Sequence, residues 1–185
     1  MSVKYDKCMI ETAHTFKELS YCQRNKVGAV ISRDNRILVT GYNGTISGQE
    51  NICEEYNETC SNCGEIVNKQ LEHEEFNCSG CGFPIASFDP KKGYEKLTVQ
   101  SFINKTSEFT IHAEQNAIFY AAKNGIELNE STIYITHSPC KQCSKAIASS
   151  GIKRVVYDEL YGDGEGLEFL LKCGIKVEKH DKPLF

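Results

Sequence analysis

No apolar run in the 185-residue sequence approaches the roughly 20 residues a membrane-crossing helix needs, so a membrane role is not expected. The opening stretch, MSVKYDKCMIETAHTFKEL, is too polar for a secretory signal, and a cytoplasmic location is expected. Positive charge is also scarce. Lys and Arg total 21 against 25 Asp and Glu, a net charge of −4, and the basic residues are dispersed rather than gathered in a stripe. That argues against a long nucleic-acid partner. It leaves room for a small anionic substrate, which needs only one or two local cations. There is no low-complexity segment, and no repeat beyond a doubled C-x-x-C. What is abundant is cysteine, ten in all. In a reducing compartment these are expected as metal ligands, catalytic groups or core residues rather than disulfides.

The length suits one domain, residues 1–185, with an insertion at about 50–105. A helical period runs from about 4 to 20, through Tyr5, Met9, Ala13, Phe16 and Leu19. KVGAVIS and RILVTGY are β-branched runs separated by Asp34-Asn35, which predicts a hairpin. From about 45 to 110 the pattern weakens, and five of the ten cysteines lie there. Regular elements then return. A helix over 112–125 closes on Gly125, and a strand covers 131–136. A helix over 139–151 has Pro139 in its first turn, followed by a strand at 153–158. A helix at 166–174 and a short strand, IKVEK, complete the series. Cys173 is placed on the apolar side of that last helix, as a buried thiol. The order predicts an α/β fold: a three-layer α/β/α sandwich on a mixed five-stranded sheet.

Chemistry concentrates in two short stretches. IHAEQNA places His112 and Glu114 at one helix start, and SPCKQC places Cys140 and Cys143 at another. A helix N-terminus favours thiolates. One imidazole and two thiolates leave a tetrahedral Zn²⁺ with one open position, the arrangement of a catalytic site, where a water is acidified. Glu114 need not bind the metal; its role is to carry the proton. H-x-E alone would be an ordinary helix and C-x-x-C alone a structural knuckle or redox pair. Together, H-x-E with P-C-x-x-C is the known signature of zinc deaminases.

With KVGAVIS, ILVTGYNG, IHAEQNAI, YITHSPCKQCSKAIASSGIKRVVY and GLEFLLKCGIKV, the chain resembles the deoxycytidylate (dCMP) deaminases of phage-like and bacterial type. The resemblance covers nearly all of the chain outside roughly 45–110. It implies conversion of dCMP and water to dUMP and ammonia, supplying dUMP for thymidylate synthesis, in the host cytoplasm if phage-encoded. It implies that Asn43 contacts the nucleoside and that the backbone near Ala113 holds the pyrimidine. Arg24 and Lys26 are expected at the phosphate, with Tyr161 as a further candidate. Many relatives are homohexamers activated by dCTP and inhibited by dTTP. The resemblance therefore implies an effector site with Mg²⁺ at Gly41, Tyr42 and Gly44. Other free substrates, such as dCTP or cytidine, remain alternatives. An editing deaminase gripping a strand is disfavoured by the acidic insertion.

Inside the insertion, CSNCG and CSGCG form two C-x-x-C-G knuckles with fourteen residues between Cys63 and Cys78. Cys60, Cys63, Cys78 and Cys81 are expected to hold a second, structural Zn²⁺ in a zinc-ribbon-like loop. His73, between the knuckles, reads as an exposed loop residue. In some relatives, cysteines matching Cys22 and Cys53 help bind another zinc with a histidine before the H-x-E. Here FINKTSEFT offers none, so that site is expected to be absent or relocated to the ribbon.

Overall fold

The computed structural model describes residues 3–67, 77–89, 93–96 and 99–180, so the expectation for His73 lies outside them. These residues form two compact units: Met1–Cys53 with Glu108–Phe185, and Glu54–Ser107.

The first unit holds a five-stranded sheet in the order β11-β10-β9-β1-β2. Its members are β1 (Gly28–Arg33), β2 (Arg36–Tyr42), β9 (Thr132–His137), β10 (Arg154–Glu159) and β11 (Lys176–Lys179). β9, β10 and β11 run parallel, whereas β1 is antiparallel to both β2 and β9, so the sheet is mixed. Asp34 and Asn35 take φ of +52° and +60° in the hairpin turn, a conformation their short polar side chains tolerate.

Alternation along the strands sends side chains to two layers. Val30, Tyr134 and Val156 pack under helix α1 (Val3–Lys17) against Met9, Ile10 and Ala13. Ile31, Ile133, Ile135 and Val155 face the opposite layer. That layer comprises α2 (Ala113–Lys123), α3 (Lys141–Ser149) and α4 (Glu165–Lys172), which contribute Ala117, Ile147 and Leu170. This is the three-layer α/β arrangement the pattern predicts. α1 is also fixed by charge. The Arg154 guanidinium grips the Asp6 carboxylate with bonds of 2.7 and 2.8 Å, and the Tyr134 hydroxyl donates to the same carboxylate at 2.9 Å. Arg154 also contacts Glu178 through its Nε.

Three local expectations change. Helix α3 begins at Lys141 with Cys140 as its N-cap, so Pro139 precedes the cap instead of occupying the first turn. Cys173 caps the end of α4 and is exposed, because the helix stops one residue short of it. Cys22 and Cys53 are joined as a disulfide with Cα atoms 5.1 Å apart, which corrects the expectation of no disulfides. Folding brings the loop after α1 beside residue 53, whose carbonyl accepts a hydrogen bond from the Thr110 hydroxyl at 3.2 Å.

The second unit is built on antiparallel pairs: β4 (Glu54–Cys60) with β7 (Val99–Thr106), and β5 (Ala86–Asp89) with β6 (Gly93–Lys96). The sequence EEYNETC is polar at nearly every position, so no alternation announces β4.

Candidate active site

His112 is the N-cap of α2 and Cys140 the N-cap of α3, both with extended backbone; Cys143 lies in the first turn of α3. Two helix starts therefore converge at the C-terminal side of the sheet's parallel strands. The His112 Nδ1 lies 3.6 Å from the Cys140 sulfur and 3.3 Å from the Cys143 sulfur. An ion about 2.1 Å from nitrogen and 2.3 Å from sulfur, at tetrahedral angles, needs those atoms roughly 3.5 Å apart. The spacing fits zinc, with three ligands and one position left over.

The electrostatics suit the same use. The Cys143 thiol and His112 together pull Cys140 down to about 3, while Cys140 pushes Cys143 up. His112 is raised, chiefly by its bond to Cys140. Glu114, only 3% exposed, is pushed up to about 7 by burial. Its carboxyl also hydrogen-bonds Cys143. A carboxyl with a midpoint near neutrality can both take and return a proton.

The four residues of GYNG hold the site's scaffold. A Cβ on Gly41 would meet the Ala113 carbonyl at 2.4 Å and the Ala117 amide at 2.8 Å, so glycine lets α2 lie directly on β2. The Tyr42 carbonyl accepts a bond from the Asn116 side chain at 2.9 Å. Gly44 lies in β3 (Gly44–Thr45) and pairs with Ile111 of β8 (Thr110–Ile111), immediately before His112. The Asn43 amide donates to the Asn25 carbonyl at 2.7 Å and accepts from the Val27 N–H at 2.8 Å, stapling the segment that carries Lys26. Lys26 itself reaches Glu18 at 3.4 Å on the surface.

Tyr161, half exposed, lines a cavity of about 190 Å³ together with Cys140, Lys141 and Asp163. This is smaller than a typical whole-ligand pocket, so it suits part of a small molecule. Three positions escaped the sequence reading. Ser138 accepts from the Tyr161 N–H at 2.8 Å and so fixes the loop across the cavity. Gly166 would place a Cβ 2.0 Å from the Pro139 carbonyl, which seats α4 against the metal knuckle. Asn116 ties α2 to β2. Only Ser138 carried a local signal, its place within SPC.

Residues 3–159 match the model of the cytidine and deoxycytidylate deaminase zinc-binding region. The chain belongs to this family. It is 36% identical over 179 residues to a deoxycytidylate deaminase of Enterobacteria phage T4, spanning 91% of this chain and 86% of that protein. It is 29% identical to ComE operon protein 2 of Bacillus subtilis, over 96% of this chain and 71% of the other. Among solved structures it is similar to the dCMP deaminase of cyanophage S-TIM5 in complex with dCMP and dUMP. That likeness has 30% identity and a TM-score of 0.68, over 97% of this chain and 98% of that one. The family match takes in His112, Glu114, Cys140 and Cys143, and also the whole second unit.

Proposed function

We propose that this protein is a zinc-dependent dCMP deaminase that converts dCMP and water to dUMP and ammonia. The observation that carries the reading is the buried Glu114 carboxyl beside the His112–Cys140–Cys143 cluster, in a chain similar end to end to a deaminase solved with dCMP and dUMP. His112, Cys140 and Cys143 hold the zinc. When bound, the ion supplies a water molecule acidified to near neutrality.

Glu114 takes one proton of the water and delivers it to the ring nitrogen beside the amino-bearing carbon, to which the water oxygen adds; it then takes the second proton from the added hydroxyl and gives it to the amine, so the C–N bond breaks, ammonia leaves and the carbonyl of dUMP forms. Burial equips it for this, because a carboxyl near 7 gives up a proton as readily as it accepts one. The Ala113 backbone, at the first turn of α2, holds the pyrimidine. Asn43 keeps the 25–27 segment in place and has one donor and one lone pair left for the nucleoside. Arg24, just before that segment, Lys26 within it, and Tyr161 take the phosphate.

On the same reading the protein works in pyrimidine metabolism in the host cytoplasm, as a homohexamer activated by dCTP and inhibited by dTTP. Gly41, Tyr42 and Gly44 frame the effector site, with Mg²⁺ accompanying the nucleotide. Its further cofactor is a second zinc on the insertion's four clustered cysteines.

The test is the ultraviolet absorbance of dCMP mixed with the purified protein, with and without dCTP and Mg²⁺. Loss of the cytosine signal is expected, faster with dCTP. No loss in zinc-loaded protein, with loss on cytidine or dCTP instead, refutes dCMP as substrate. A rate indifferent to dCTP and Mg²⁺ refutes the effector site.

A further inference from the structure

The second unit repeats one turn twice. In the first copy the Gly64 N–H donates to the Cys60 carbonyl at 2.8 Å, and in the second the Gly82 N–H donates to the Cys78 carbonyl at 2.7 Å. The Cys60 N–H reaches the Glu65 carbonyl and the Cys78 N–H the Phe83 carbonyl, each at 2.8 Å. Both glycines sit at positive φ, +79° and +71°, where a side chain would be strained. A single β-bridge closes each copy, Thr59 with Ile66 and Asn77 with Pro84. The sulfurs of Cys63 and Cys81 each accept a backbone hydrogen bond from two residues on, Glu65 and Phe83.

The two copies face each other. Cys60 and Cys81 have their sulfurs 3.8 Å apart, Cys63 and Cys78 3.6 Å, and all four lie within 4.8 Å of one another. Four sulfurs about 2.3 Å from one tetrahedral ion stand roughly 3.8 Å from each other. They are free thiols, in contrast to Cys22 and Cys53 of the other unit. The buried apolar cluster of this unit, among the described residues, is Cys60, Val67, Cys78 and Ile85. Half of it is therefore made of the cysteines themselves.

We infer that Cys60, Cys63, Cys78 and Cys81 close around one zinc ion with no open position, and that this ion holds the two turns together and so stabilises the second unit. The inference deepens the second-zinc reading above and is independent of the deaminase chemistry. A closed four-thiolate site has no place for water or substrate, so its ion is structural.

The experiment counts zinc in the full chain purified under reducing conditions, in three forms: unaltered, Cys63→Ser/Cys81→Ser, and His112→Ala. Two equivalents, one and one are expected. In the His112→Ala chain, cobalt exchanged for zinc should give the intense sulfur-to-metal absorption of a tetrahedral tetrathiolate. Chelation of that chain should open residues 54–107 to protease. The cobalt spectrum and the protease pattern keep the test decisive if the serine variant fails to fold. A count of one in the unaltered chain, falling to zero in His112→Ala, overturns the ribbon and leaves the deaminase centre standing. A count of one lost only with the insertion's cysteines does the reverse. Cleavage indifferent to chelation overturns the stabilising role, and two disulfides in place of four thiols overturn the site altogether.

Discussion

Replacing Glu114 with Gln should abolish turnover and yet stabilise the metal-free chain at neutral and higher pH. The carboxyl is buried, and burial lifts it from an ordinary 4.5 to about 7. A folded value above the unfolded one means that the native state holds a proton the unfolded chain has already released. Stability therefore falls as pH rises from about 4.5 to about 7, and the loss is complete above that. By linkage this amounts to about 3 kcal/mol. A glutamine of nearly the same shape carries no charge to desolvate and escapes it. Both proteins, stripped of zinc with a chelator, would be unfolded in urea at pH 4.5 and pH 8. Chelation empties the insertion's site equally in both, so the comparison is like for like. The variant should be more stable by up to about 3 kcal/mol at pH 8 and show little advantage at pH 4.5. Equal stability at pH 8, or a variant weaker at both values, would refute the claim that Glu114 is held against its solvation. A cost of this kind is expected where a fold keeps a proton carrier away from water.

Asp6→Asn should cost about 3 kcal/mol, since it leaves the Arg154 guanidinium without its bidentate partner beneath α1. Arg154 holds Asp6 below its ordinary value, so this stability is present above about pH 4 and disappears as pH falls further; acid unfolding of the variant should show a shallower pH dependence. Gly41→Ala drives a Cβ into the α2 backbone and should cost about 1–3 kcal/mol while weakening zinc retention, read by thermal unfolding and metal content. Asn43→Ala removes two hydrogen bonds from the 25–27 segment, worth about 1 kcal/mol each, so kcat/KM for dCMP should fall about 10- to 30-fold with zinc content unchanged.

The sequence alone determined the metal-site chemistry and the order of the elements. His112 and Glu114 are two apart, Cys140 and Cys143 three apart, and each pair is marked by helix-start signals that need no distant partner to be read. The strands of the sheet were legible for the same reason: β-branched runs and turn residues act over a few positions. The insertion was only half legible, because its cysteine spacing is a local signal whereas its polar strands carry no alternation. Tertiary structure decided what depends on segments far apart in the chain. Asp6 meets Arg154, the Asn43 side chain closes on residues 25 and 27, Gly41 is required by a helix that begins at residue 113, and Cys22 finds Cys53. Periodicity and caps are written in neighbouring residues, but a contact between remote segments exists only once packing has fixed the distance between them.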